Sequence, residues 1–299
     1  MSTARSPITL EPRAVRGFGT VLVAAVLFGA MAVFVRLACR EMPSGQVAFV
    51  RFAGSLAVLL LLTRGRGLRP RPGQLGRVLL RGLLGAGSIA LYYRAIHDSG
   101  AGLATLVYGV YPVWTALFAG LVVGERADGR LGLALGLSAV GLAVVLGPGL
   151  AVRDAALTGA LPAVVASVLA GGAVATARQL RLTETSVLVT THFMAVGAAV
   201  TLPLLAVGPA LRPSPALLGV LVGVVLTSLG GQLLLHEGLG FMSATEGSLA
   251  AATSVGVAAA LQVVWLGEHL SGHAVLGAGL LFGAVAVAAG AGPVRVDSP

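Results

Sequence analysis

The chain of 299 residues has one cysteine, no lysine and only eleven acidic residues, and charged residues make up just 10% of it. The lone cysteine, Cys39, excludes an internal disulfide and a thiolate metal cluster; it reads as a small apolar filler. A soluble domain carries about a quarter charged residues, so a chain this poor in charge cannot cover its surface in water. With 57% hydrophobic residues and a mean hydropathy of +0.95, the class that remains is a polytopic membrane protein. All twenty basic residues are arginine and the net charge is +9. They sit mostly in short loops between apolar runs, with no zinc finger, RNP motif or long basic helix. That placement points to membrane orientation and not to nucleic acid.

About 20 apolar residues cross the hydrocarbon of a bilayer. Ten runs qualify: 17–38, 45–63, 77–97, 102–123, 131–149, 157–177, 186–207, 216–236, 243–266 and 273–291. No cleavable signal pattern precedes the first, which is read as a retained span behind a cytoplasmic tail, 1–16. With that tail inside, fourteen arginines fall in inner segments, among them Arg64, Arg77 and Arg81, against three outside, Arg40, Arg153 and Arg212. The positive-inside rule then places both termini, including the tail 293–299, in the cytoplasm.

The chain also repeats itself. "LVVGERADGRLGLALGL" (121–137) and "VVWLGEHLSGHAVLGAGL" (263–280) share a Gly-Glu pair and later glycines, and "LFGAMAVFVR" (27–36) matches "LAGGAVATAR" (169–178). Superposing Gly124-Glu125 on Gly267-Glu268 aligns spans 3–5 with spans 8–10 without a gap. The expected fold is an all-α membrane protein of ten transmembrane helices in two five-helix halves, 17–150 and 151–292. Five is odd, so the second half enters the membrane inverted. Inverted repeats are typical of secondary transporters, whose sites lie near the midplane between the halves.

Three stretches, "VRFAGS" in span 2, "ALYYRAIHDSGAGLATLVYGVYPVWTALFAGLVVGER" across spans 3 and 4, and "GQLLLHEGLGFMSATEGSLAAATSVGVAAALQVVWLGEHL" across spans 8 and 9, carry a family likeness. The chain resembles the EamA-type ten-helix members of the drug/metabolite transporter superfamily over roughly 17–291. The resemblance implies a transporter and says little of its substrate. Two departures stand out. Val255 occupies the place of Pro112, a helix-breaking proline typical of the family. Spans 1 and 6 also lack the acid that the small four-helix members use for proton coupling.

Within the spans, Arg51 is the most costly residue, since a guanidinium in hydrocarbon costs several kcal/mol. It reads either as a helix-packing residue or as a substrate contact for a carboxylate. His192 is its repeat counterpart and stands at similar depth from the opposite face. Tyr108, Tyr111 and Trp114 step by three along span 4, which suggests one cavity-lining stripe, with Tyr93 nearby in span 3. Gln232, Thr253 and Gln262 interrupt apolar helices and are further substrate-binding candidates. His236, Glu237 and Glu246, around the loop between spans 8 and 9, are candidates for coupling or gating.

Enzyme patterns fail. "LHEGLG" lacks the second histidine of a zinc-protease helix, since position 240 is Gly. His269 and His273 stand at i and i+4 with no third ligand, and there is no P-loop. No cofactor or metal is expected. The sequence therefore reads as a multi-pass inner-membrane secondary transporter of small organic metabolites, amino acids or similar amphipathic compounds. It would work by alternating access in the direction of export, with spans 1–4 and 6–9 around the cavity. Protons are the candidate coupling ion, and the chain is a monomer or homodimer. A passive facilitator of the same fold is the alternative. From another class, the alternative is an intramembrane enzyme or a surface metal-binding protein.

Overall fold

The computed structural model describes residues 12–124, 159–208, 214–267 and 271–289, with scattered positions between 129 and 144. The regular elements among the described residues are helical. They are α1 (Pro12–Ala38), α2 (Ser44–Thr63), α3 (Leu75–Ser99), α4 (Ala101–Tyr108), α5 (Tyr111–Val122), α6 (Leu161–Arg181) and α7 (Ser186–Thr201). A short 3-10 turn, Leu202–Ala206, precedes α8 (Pro215–Gly238), α9 (Ala244–Ala252), α10 (Ser254–Leu266) and α11 (Gly272–Ala289).

Several starts are written in the local sequence. The Ser214 hydroxyl accepts from the Leu217 N–H, with Pro215 in the first turn, where its missing N–H costs nothing. Thr185 caps α7 through the Leu188 N–H. Ser243 and Glu246 form a reciprocal capping box at α9.

Eight helical stretches are long and apolar enough to cross a membrane, α4–α5 and α9–α10 each counting as one. Two shorter apolar helices, Gly132–Gly141 and Val275–Ala284, fall within the fifth and tenth expected spans. Much of 131–149 lies outside the described residues, as do Glu125 and Glu268. The protein is thus an all-α, multi-spanning membrane protein of about eight to ten helices. Its outer surface agrees: Leu61, Leu62 and Leu121 are more than 70% exposed. In water such a belt is an aggregation liability; in lipid it is the solvated face.

Helix α1 packs along α8 and α10, α6 packs along α3 and α5, and α2 lies against α7. Small residues permit these approaches. At Gly29 a Cβ would lie 2.6 Å from Cγ1 of Val257, and at Gly171 it would collide with Cβ of Trp114. Gly29 and Gly171 are the glycines matched between segments 27–36 and 169–178, and each sits at a close helix crossing.

The spans made of α4–α5 and of α9–α10 are both broken. The first pauses at Gly109-Val110, ahead of Pro112, where the Gly109 N–H reaches back to the carbonyls of Thr105 and Leu106. The second breaks at Thr253 although Val255, and not proline, follows. There the Thr253 hydroxyl donates to the Ala250 carbonyl at 2.7 Å and its N–H to the same oxygen at 3.3 Å. A side-chain bond stands at this break where Pro112 stands at the other, so the interruption forms without a proline.

Candidate functional site

A cavity opens among the helices, with about 720 Å³ of empty space counted out through its mouth. Spans 1–4 and 6–9 all contribute lining residues, from Phe28 on α1 to Ser254 on α10, and no described residue of the fifth or tenth span does.

Arg51 lines the cavity and is fully buried. Its Nε donates to the Ser228 hydroxyl on α8, while Nη1 has no partner. Its guanidinium carbon lies 4.9 Å from the ring centroid of Phe52 and 5.8 Å from those of Tyr93 and Phe193. These π faces compensate the charge in part. Arg51 thus both joins α2 to α8 and faces the cavity.

A second arginine is there as well. Arg81 stands with the inner-side arginines in the sequence, yet it is only 4% exposed and lines the same cavity. Its Nη2 donates to Nε2 of His236 at 3.1 Å, and its guanidinium lies 4.2 Å from the centroid of Phe193. Its Nε and Nη1 are unpartnered. Gly85, one turn further along α3, makes the room: a Cβ there would collide with Nη1 of Arg81.

His236 is completely buried. Its Nε2 takes the Arg81 N–H and lies 3.1 Å from Nε2 of Gln232. An arginine can only donate, so Nε2 accepts and the proton sits on Nδ1, which faces the Thr190 hydroxyl at 2.7 Å. That hydroxyl in turn donates to the Ser186 carbonyl. The imidazole is therefore neutral, with both of its ring nitrogens engaged.

The aromatic wall differs from the stripe read along span 4. Tyr92 and Tyr108 stack with centroids 4.3 Å apart, and Tyr111 follows at 5.4 Å from Tyr108. The Tyr92 hydroxyl pairs with Thr105, and the Tyr111 hydroxyl donates to the Ser248 carbonyl at 3.0 Å. Within α5 a step of three turns about 300°, so Trp114 is rotated about 60° from Tyr111; it leaves the cavity and packs on Gly171. Tyr93 is fully buried behind the lining, its hydroxyl without a partner.

Of the remaining candidates, Gln232 lines the cavity. His192 does not: it is half-buried and bonds the Leu188 carbonyl one turn back, while its neighbour Phe193 faces inward. Thr253 is exposed at the α9–α10 break, beside the lining residue Ser254. Gln262 lies in α10, but its side chain falls outside the described residues. Glu237 pairs with Arg181 at 3.3 Å, away from the lining. Glu246 is engaged in the α9 capping box. Cys39, just past α1, is 9% exposed, and burial pushes its thiol up to about 12 despite the nearby Arg36, so it stays a neutral thiol.

The sequence profile of the EamA-like transporter family matches the chain twice, over residues 15–147 and 157–290. The chain belongs to the EamA-like transporter family. It is also similar to the pseudopaline exporter CntI of Pseudomonas aeruginosa, strains UCBPP-PA14 and PAO1. Each is 26% identical to it over 228 residues, covering 75% of this chain and 78% of theirs. A solved crystal structure of a protein superposes with a TM-score of 0.66 at 20% identity, covering 92% of this chain and 96% of that one, a likeness of fold. This member of the drug/metabolite transporter superfamily is a multi-pass inner-membrane transporter and not an enzyme. Among its described residues no three of His, Cys, Asp or Glu meet to hold a metal.

Proposed function

We propose that this transporter exports small amphipathic metabolites bearing a carboxylate, amino acids or similar compounds, by alternating access around the cavity. The observation that carries the reading is Arg51, buried at the cavity wall with a free Nη1 and with the stacked Tyr92 and Tyr108 and the adjoining Tyr111 among the other lining residues. A guanidinium fixes a carboxylate, and an aromatic wall takes the apolar part of the same molecule. The relatives named as exporters support the outward direction.

Alternating access needs two equivalent arrangements, and an inverted repeat of ten spans supplies them. Several observations support it. The family profile matches each half separately. The helix pairings are exchanged between halves: α1 packs on α8 and α10 as α6 packs on α3 and α5. Arg36 donates from Nη1 to the Ile96 carbonyl at 3.2 Å, and its repeat mate Arg178 donates from Nη1 to the Leu239 carbonyl at 2.8 Å. In the Gly-Glu register Ile96 and Leu239 are themselves mates. The orientation with both termini in the cytoplasm rests on the arginine asymmetry.

Flux in proteoliposomes, with amino acids, other organic acids, sugars and cationic drugs and with or without a pH gradient, tests the reading. Carboxylate-bearing compounds should move and Arg51→Gln should abolish their flux; no flux above empty liposomes for any compound would overturn it. A passive facilitator is the second reading, favoured because no described cavity-lining residue is an acid. It predicts flux indifferent to the pH gradient.

A further inference from the structure

We propose that the cargo is a dianion: an amphipathic organic acid with two carboxylates, one held by Arg51 and the other by Arg81. This rests on the transport reading above and sharpens its substrate class. Both guanidinium groups line one cavity and both lie over the same Phe193 ring. A guanidinium has five N–H donors and no acceptor, so it cannot serve as its own counter-charge. Two like charges so placed repel each other and demand counter-charge.

The described protein does not supply it. The cavity lining contains no carboxylate. The acids on neighbouring segments are engaged elsewhere: Glu237 with Arg181, Glu184 with the backbone N–H of Arg71, and Asp98 with Arg94. Each cavity arginine has only a neutral hydrogen-bonding partner, Ser228 for Arg51 and the neutral His236 for Arg81. Such partners aim a guanidinium without cancelling its charge. Three guanidinium nitrogens remain unpartnered, Nη1 of Arg51 and Nε and Nη1 of Arg81. A monoanion would leave one arginine uncompensated. The stacked tyrosines on the same wall call for an organic and not an inorganic dianion.

The test uses the purified full-length chain in detergent and follows its thermal unfolding midpoint against added phenylsuccinate, 3-phenylpropionate and sulfate. Phenylsuccinate should stabilise at concentrations about 10- to 100-fold lower than 3-phenylpropionate, the worth of one charge-assisted hydrogen bond. In Arg81→Gln that preference should collapse, while Arg81→Lys keeps part of it. Should Arg81→Gln not fold, the monomethyl ester of phenylsuccinate decides on the wild type, with the same loss expected. Equal response to the mono- and dicarboxylate, an unchanged preference in Arg81→Gln, or no response to phenylsuccinate overturns the proposal. Sulfate matching phenylsuccinate overturns its organic part. If monocarboxylates are bound and moved as well as phenylsuccinate, the transport reading stands and this one falls; if no organic acid of either charge is bound or moved, both fall.

Discussion

Arg81 donates from Nη2 to Nε2 of His236 across 3.1 Å, joining the start of α3 to the end of α8 inside the cavity wall. The direction of that bond fixes the histidine tautomer and, with it, the bond to Thr190.

Replacing His236 by Phe should therefore strand the Arg81 guanidinium. Losing a buried hydrogen bond to a charged group costs about 1.5–3 kcal/mol, so the thermal midpoint in detergent should fall clearly. His236→Gln, which keeps an acceptor, should recover most of the loss. Equal destabilisation by the two variants would mean that ring packing, and not the hydrogen bond, is what matters.

Cys39 should be inert. A thiol whose pKa is raised to about 12 holds almost no thiolate at pH 8, against an ordinary value near 9. Its maleimide labelling in the folded protein should be far slower than after denaturation, and should quicken only as the pH approaches 12. Fast labelling at pH 8 would contradict the burial.

That inertness makes the native chain a background for reporter cysteines. Ser254→Cys places a thiol on the cavity wall. Arg36→Gln and Arg178→Gln each remove a bond between helix packs, the first to Ile96 and His97, the second to Leu239. If the halves are inverted, the two variants should change labelling by membrane-impermeant reagents several-fold and in opposite senses from the two sides of the membrane. Changes of the same sense would sink the exchange of latches.

Glu246 should prove structural. Its carboxylate accepts from the Ser243 N–H and hydroxyl, each at 2.9 Å. Glu246→Ala should cost about 1 kcal/mol of stability, as lost caps do, and leave the pH dependence of flux unchanged. A flattened pH profile would return it to the coupling candidates.

The spans and the cost of Arg51 were legible because hydrophobic length and a lone charge are one-dimensional signals. Arg81 was masked by its company. It stands near the head of a span, after Arg77, where positive-inside counting absorbs it, and only Gly85 one turn later hinted at room for a guanidinium. His192 illustrates a different gap. Depth along a helix can be read from residue number, but each step turns the side chain about 100°, and the inward direction at that level belongs to Phe193. Trp114 falls away for a similar reason: a step of three turns about 300° and not a full circle, so the stripe drifts by about 60° after Tyr111. The Thr253 break was hidden because a threonine hydroxyl stood in for a proline.

The acid-free cavity wall also bears on energetics across the membrane. A resting cell is electrically negative inside, and each elementary charge crossing the field is worth about 2.3 kcal/mol per 100 mV. A cargo with two negative charges would leave such a cell with about 4.6 kcal/mol per 100 mV in its favour. The protein would then need no carboxylate of its own to carry protons, because the voltage would drive outward flow until an opposing concentration gradient balanced it.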